Sequence, residues 1–82
     1  MIHELKILPK YYEEILEGRK NFELRKDDRG YVEGDVIRLK AWDGEKYLDL
    51  EPIDRTIIYI LRDCPEYGLE NGYCILGFET YQ

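Results

Sequence analysis

Cysteine is scarce in this chain of 82 residues, with only Cys64 and Cys74, and no Cys-x-x-Cys spacing occurs. That rules out the dense disulfide framework of small secreted domains. It also weighs against a structural zinc site, because the only other soft ligand is His3. No apolar run approaches the roughly 20 residues that a membrane-spanning helix needs. The opening Met1-Ile2-His3-Glu4 lacks the basic-then-apolar order of a secretion signal. The expectations are a cytoplasmic protein with no membrane association, reduced thiols and no cofactor. Low-complexity segments, internal repeats and linker-like stretches are missing too, so the expected organisation is a single domain over residues 1–82, compact from Ile2 to Tyr81. A chain this short has room for one core and one site.

Basic residues are thin in the second half. Residues 41–82 hold three (Lys46, Arg55, Arg62) against nine acidic ones, whereas residues 1–40 hold nine of each sign. The net charge of −6 argues against wholesale nucleic-acid binding, which depends on cations displacing counterions from phosphates. Its location leaves the first half free to carry a local basic surface. The 44% apolar fraction, with eight tyrosines, two phenylalanines and one tryptophan, suffices for a folded core.

Alternation in His3-Glu4-Leu5-Lys6-Ile7 predicts a half-buried strand with His3 facing inward. Pro9 suits the first position of a helix and Gly18 the residue past its end, with Tyr12, Ile15 and Leu16 forming one apolar stripe. The segment Asn21-Phe22-Glu23-Leu24-Arg25 alternates again. That puts Phe22 and Leu24 on one face and Asn21, Glu23 and Arg25 together on the other. Further strands are predicted over 36–41, over 56–61 as a central strand buried on both faces, and over 73–79 with Gly77 at a bulge or a close approach. Asp43-Gly44 signals a two-residue hairpin returning through Lys46-Tyr47-Leu48, and 63–71 reads as a loop. The predicted fold class is mainly β with one short helix (α+β), either a small barrel or a sheet with the helix on one side.

The segment richest in chemistry is Gly18-Arg19-Lys20-Asn21-Phe22-Glu23-Leu24-Arg25. A lysine beside a carboxylate can handle a proton when both are partly desolvated. Arg25 offers a planar fork suited to a phosphate, a carboxylate or a base edge. The same residues also suit a solvated strand face laced with ion pairs. His3 could serve as a base or as a hydrogen-bonded core residue. Tyr11, Tyr31, Trp42, Tyr67 and Tyr73 include possible base-stacking platforms, Tyr67 foremost because it sits in the loop. Asp28 and Arg29 follow Arg25 in a turn and could rim a site.

That segment, with Gly34-Asp35-Val36 beyond it, resembles the signature of the ASCH (activating signal cointegrator homology) domain of the PUA-like superfamily. The start, His3-Glu4-Leu5-Lys6 through Pro9, and the end, Tyr67-Gly68 with Gly72 to Phe78, are similar to a small bacterial and phage branch of that group. The resemblance implies a small PUA-like β-barrel with a cleft between barrel and helix, and RNA or nucleotide binding. In one set of relatives it implies hydrolysis of the amide of acetylated cytidine. Lys20 matches the lysine of those enzymes and Arg25 the arginine; Glu23 stands where they carry a threonine, and Glu79 is the nearest counterpart of their late glutamate. The expected reading is thus a binding module with Lys6, Lys20, Glu23, Arg25, Arg29 and Tyr67 on the ligand. The alternatives are an amidohydrolase of acylated cytidine using Lys20 and Glu23, or a protein-interaction module using the acidic second half.

Overall fold

A computed structural model describes residues 1–79, so Tyr81 and its neighbours lie outside the described part of the chain. Among the described residues five strands, β1 (Ile2–Ile7), β2 (Phe22–Lys26), β3 (Val36–Ala41), β4 (Ile53–Leu61) and β5 (Tyr73–Phe78), accompany one α-helix, α1 (Pro9–Leu16), and a single 3-10 turn, Pro65–Tyr67. The strands form one sheet in the order β1-β3-β4-β5-β2, parallel between β1 and β3 and antiparallel elsewhere. The sheet curls into a half-barrel, mainly β with one short helix, which is the fold class expected from the sequence.

Alternation sets the core. On β1, Leu5 and Ile7 face inward in register with Leu39 and Ala41 of β3, and Ile53, Ile57, Cys74, Leu76 and Phe78 complete the interior. Helix α1 has only eight residues, too few to stand alone in water. Tyr12 and Ile15 bury it against the sheet, and the Tyr12 hydroxyl donates to the Glu51 carbonyl at 2.7 Å. Leu16, expected in the same stripe, is exposed. Gly18 ends the helix at φ 80°, a left-handed conformation that side-chain-bearing residues adopt at a cost. The amides of Arg19 and Lys20 then both donate to the Glu14 carbonyl, and the chain turns directly into β2.

Two expectations are corrected, and the inner face of β2 is its polar one. Phe22 and Leu24 are 44% and 59% exposed, while Glu23 is 5% exposed and points inward with Arg25 half-buried. Ion pairing is the reason, as described below. Strand β4 is covered on one face only, leaving Ile58 and Tyr59 exposed, and an irregularity between Ile57 and Tyr59 shifts its register against β5. That irregularity lies opposite Gly77, where an added Cβ would meet the Tyr59 carbonyl oxygen at 3.5 Å, an ordinary contact. The Asp43-Gly44 hairpin shrinks to a single bridge between Trp42 and Tyr47. There the Asp43 carboxylate accepts from the Glu45 and Lys46 amides at 2.9 and 3.0 Å, so the aspartate organises a longer loop.

His3 is a core residue. Its Nε2 lies 2.8 Å from Asp35 Oδ2, its ring meets Tyr31 edge-on, and Asp35 also accepts from the Val32 amide and from the Met1 amino group. The bond to His3 is the main cause that holds the Asp35 carboxyl down at about 2, below the usual 3.8. A carboxyl lowered on folding stabilises the native state above its unfolded pKa, and that stability is lost as pH falls through the folded one. The expected outcome is a urea midpoint that drops between about pH 4 and pH 2 in the wild type. In Asp35→Asn the midpoint should be lower at pH 7 and should lose this part of the acid limb, as urea titrations across pH would show.

Candidate functional site

The half-barrel leaves β1 and β2 as its two edges, and the unpaired carbonyls of an edge need partners. Arginines supply them here. Arg25 Nη2 donates to the Lys6 carbonyl at 2.6 Å, and Arg29 Nη1 donates to the Glu4 carbonyl at 3.0 Å. The seam is therefore bridged by side chains in place of a backbone ladder, and such a seam leaves hollows on either side.

Glu23 is the centre of this region. Its Oε1 takes the Lys20 ammonium, and its Oε2 takes Arg25, with Nε at 2.9 Å and Nη2 at 2.8 Å. Lys20 also donates to the Phe22 carbonyl at 2.7 Å. The side chains of Glu23, Lys20 and Arg25 are 6%, 16% and 23% exposed. A carboxylate can be turned inward only when its desolvation is offset by partners. Two cations and the open edge of β1 provide that offset, which is why β2 shows its apolar side chains to water.

Between α1 and β2 lies a cleft of about 400 Å³ lined by Tyr11, Lys20, Phe22, Glu23 and Leu24. That is within the roughly 300–1,000 Å³ of small-molecule sites. The Lys20 ammonium sits 5.1 Å from the Tyr11 ring centre and 4.9 Å from that of Phe22. Both rings are partly bare, so a polar pair is flanked by two aromatic faces. A second hollow of about 160 Å³ opens at the seam, lined by Leu5, Arg25, Lys26, Asp28, Arg29 and Tyr31. Glu23 lines the first and Arg25 the second, and the two side chains are ion-paired.

The structure thus brings Lys20, Glu23 and Arg25 together, with Lys20 and Glu23 on the larger cleft and Arg25 and Arg29 on the smaller one. Lys6 lies elsewhere: its ammonium stands 4.6 Å above the Trp42 ring, and only its carbonyl joins the seam. Tyr67 is 89% exposed on the 3-10 turn and lines neither hollow; Glu79 is exposed beyond β5 and lines neither. Phe22 was missed as a site residue because alternation set it on the face opposite Glu23 and Arg25. The signal available was its place next to Lys20 in a segment with two inward-competent charges. Arg19 is drawn away by Glu14 and Glu17 on the helix end.

Comparison with known proteins adds two findings. One curated relative, described as an uncharacterized 12.9 kDa protein in the GpA 3′ region of Escherichia phage P2, is 49% identical over 41 residues; the match covers 50% of this chain and 38% of the phage protein. The family model described as Domain of unknown function (DUF3850) matches residues 2–78, from the first residue of β1 to the last of β5, and the chain belongs to that family.

Proposed function

We propose that the cleft between α1 and β2 receives a nucleobase, of RNA or of a nucleotide, and that the domain is a PUA-like binding module. The observation that carries this reading is the placement of Lys20 and Glu23 in one concavity between the rings of Tyr11 and Phe22. Bases stack on aromatic faces irrespective of sequence, and their edges present carbonyl and amine groups. The Lys20 ammonium suits a base carbonyl. Glu23 Oε1 has a lone pair beyond the one that Lys20 occupies, and a carboxylate accepts from an exocyclic amine as it does with cytosine. The resemblance to ASCH domains supports the same reading.

The Lys20–Glu23 pair also suits an amidohydrolase acting on acylated cytidine. Against turnover stands the engagement of both Glu23 oxygens by cations, with no hydroxyl at the position that would have to supply the nucleophile.

Titration of short single-stranded RNAs tests the proposal. Log affinity is expected to fall linearly with log salt, at a slope of about −0.7 per phosphate contacted. Tyr11→Ala should weaken binding by about 1–3 kcal/mol, the worth of one stacked base, and Lys20→Ala should weaken it further. Affinity indifferent to salt and to both substitutions would contradict the reading. Hydrolysis of acylated cytidine by the wild type, abolished in Lys20→Ala and Glu23→Gln, would replace it with the enzymatic one.

A further inference from the structure

The seam hollow holds a combination that the folding of the chain does not use up. Arg25 spends its Nε and Nη2 hydrogens on Glu23 and Lys6, and Arg29 spends an Nη1 hydrogen on Glu4. A guanidinium has five N–H donors, so each retains donors after it has been fixed in place. Lys26 is exposed and has no ion-pair partner among the described residues. Tyr31 is only 2% exposed and lines the hollow. Its hydroxyl has no hydrogen-bond partner among the described residues, yet no fully enclosed side-chain oxygen there lacks one. The hydroxyl therefore keeps some access to solvent, and Tyr31 is one of the residues lining the hollow. Burial raises the Tyr31 phenol above its usual pKa, while Arg29 and Arg25 pull it the other way, so both cations act on this oxygen.

We infer that the seam hollow is a phosphate site, holding the phosphate of the nucleotide whose base occupies the cleft; this rests on the cleft reading given above. A space of about 160 Å³ is too small for a base with its sugar and large enough for a tetrahedral oxyanion. Two anchored guanidinium groups and a phenol present donors to three oxygens, the pattern in which arginine exceeds lysine. Across the two hollows four cations (Lys20, Arg25, Lys26, Arg29) face two carboxylates (Glu23, Asp28), a local positive excess on a chain of net charge −6. Asp28, the one acid of the seam hollow, is suited to accept from a ribose hydroxyl beside the phosphate. Glu23 and Arg25 lie two residues apart on β2, about 7 Å along a strand, a separation that a ribose spans.

Calorimetric titration at low salt with the four ribonucleosides, their 3′- and 5′-monophosphates and dinucleoside monophosphates tests this. At least one phosphorylated form should bind about ten-fold tighter than its nucleoside, as a charge-assisted contact provides. Tyr31→Phe, which deletes a hydroxyl that no protein group uses, should cut that ratio severalfold at unchanged thermal stability and unchanged nucleoside affinity. Arg29→Lys, which keeps the charge and loses the fork, should also cut that ratio, with any loss of its bond to the Glu4 carbonyl read separately as a lower Tm. A gain confined to the monoesters would identify a free nucleotide as the source; an equal gain with the dinucleoside monophosphates would identify an RNA strand. Nucleoside binding to which phosphate adds nothing, or a phosphate preference that survives both substitutions, overturns the inference and leaves the cleft reading standing. Failure of every nucleoside and nucleotide to bind removes the cleft reading and this inference with it.

Discussion

Glu23→Ala is expected to destabilise the domain by about 3–5 kcal/mol, the usual cost of removing one member of a buried ion pair. The substitution leaves the half-buried Lys20 and Arg25 without their shared counterion and withdraws the group that aims Arg25 at the Lys6 carbonyl. For a domain of this size each kcal/mol lowers Tm by about 4–8 °C, so the transition should fall by well over 10 °C. Native stability is only about 5–15 kcal/mol; the variant should therefore sit near the edge of folding at 37 °C. A triple variant, Lys20→Met with Glu23→Leu and Arg25→Met, should recover most of the loss, since apolar residues of similar volume commonly replace buried ion clusters without penalty. It should also bind no nucleotide. A recovered Tm with lost binding would show that the triad is retained for recognition. A Glu23→Ala variant within 3 °C of wild type would show instead that the cluster is a solvated surface network.

Ile15→Ala should cost about 2–5 kcal/mol, as truncation of a buried isoleucine does. Ile15 is 1% exposed, and with Tyr12 it is one of two residues that bury α1. Its loss should therefore act on the helix before the sheet. Hydrogen exchange should show the α1 amides losing protection while those of β3, β4 and β5 retain it. Because Tyr11 of α1 forms one wall of the cleft, nucleotide affinity should fall at temperatures where the sheet remains folded. Uniform loss of protection over helix and sheet alike would show that α1 is an inseparable part of the cooperative unit.

The sequence was informative where one face of an element meets water and the other meets the core. His3-Leu5-Ile7 was legible for that reason in phase as well as period; the 36–41 strand was legible as a strand, and the Pro9 to Gly18 helix with Tyr12 and Ile15 inward but not Leu16. On β2 the period was legible and the phase was not. Phe22-Glu23-Leu24-Arg25 contains two apolar and two charged residues; the Lys20 counterion stands only three residues before Glu23, and the deciding partner that is distant in sequence is the bare Lys6 carbonyl on β1. Local pattern cannot register an acceptor on another strand. The same limit applies to β4, where the apolar run from Thr56 to Leu61 marked a strand correctly but could not show that only one of its faces is covered. As to the site, Lys20, Glu23 and Arg25 were identifiable as a group. The seam, with Tyr31 and Arg29 beside Arg25, emerges only once β1 and β2 are known to be facing edges.

Chemical-shift mapping of a ribonucleotide titration, on uniformly ¹⁵N-labelled protein, is the most direct test of the α1/β2 cleft as the binding site. Saturable shifts are expected at Tyr11, Lys20, Phe22, Glu23 and Leu24, extending to Arg25, Arg29 and Tyr31 when a phosphate is present. Shifts centred on the Lys6–Trp42 surface, or none at millimolar nucleotide, would contradict the account.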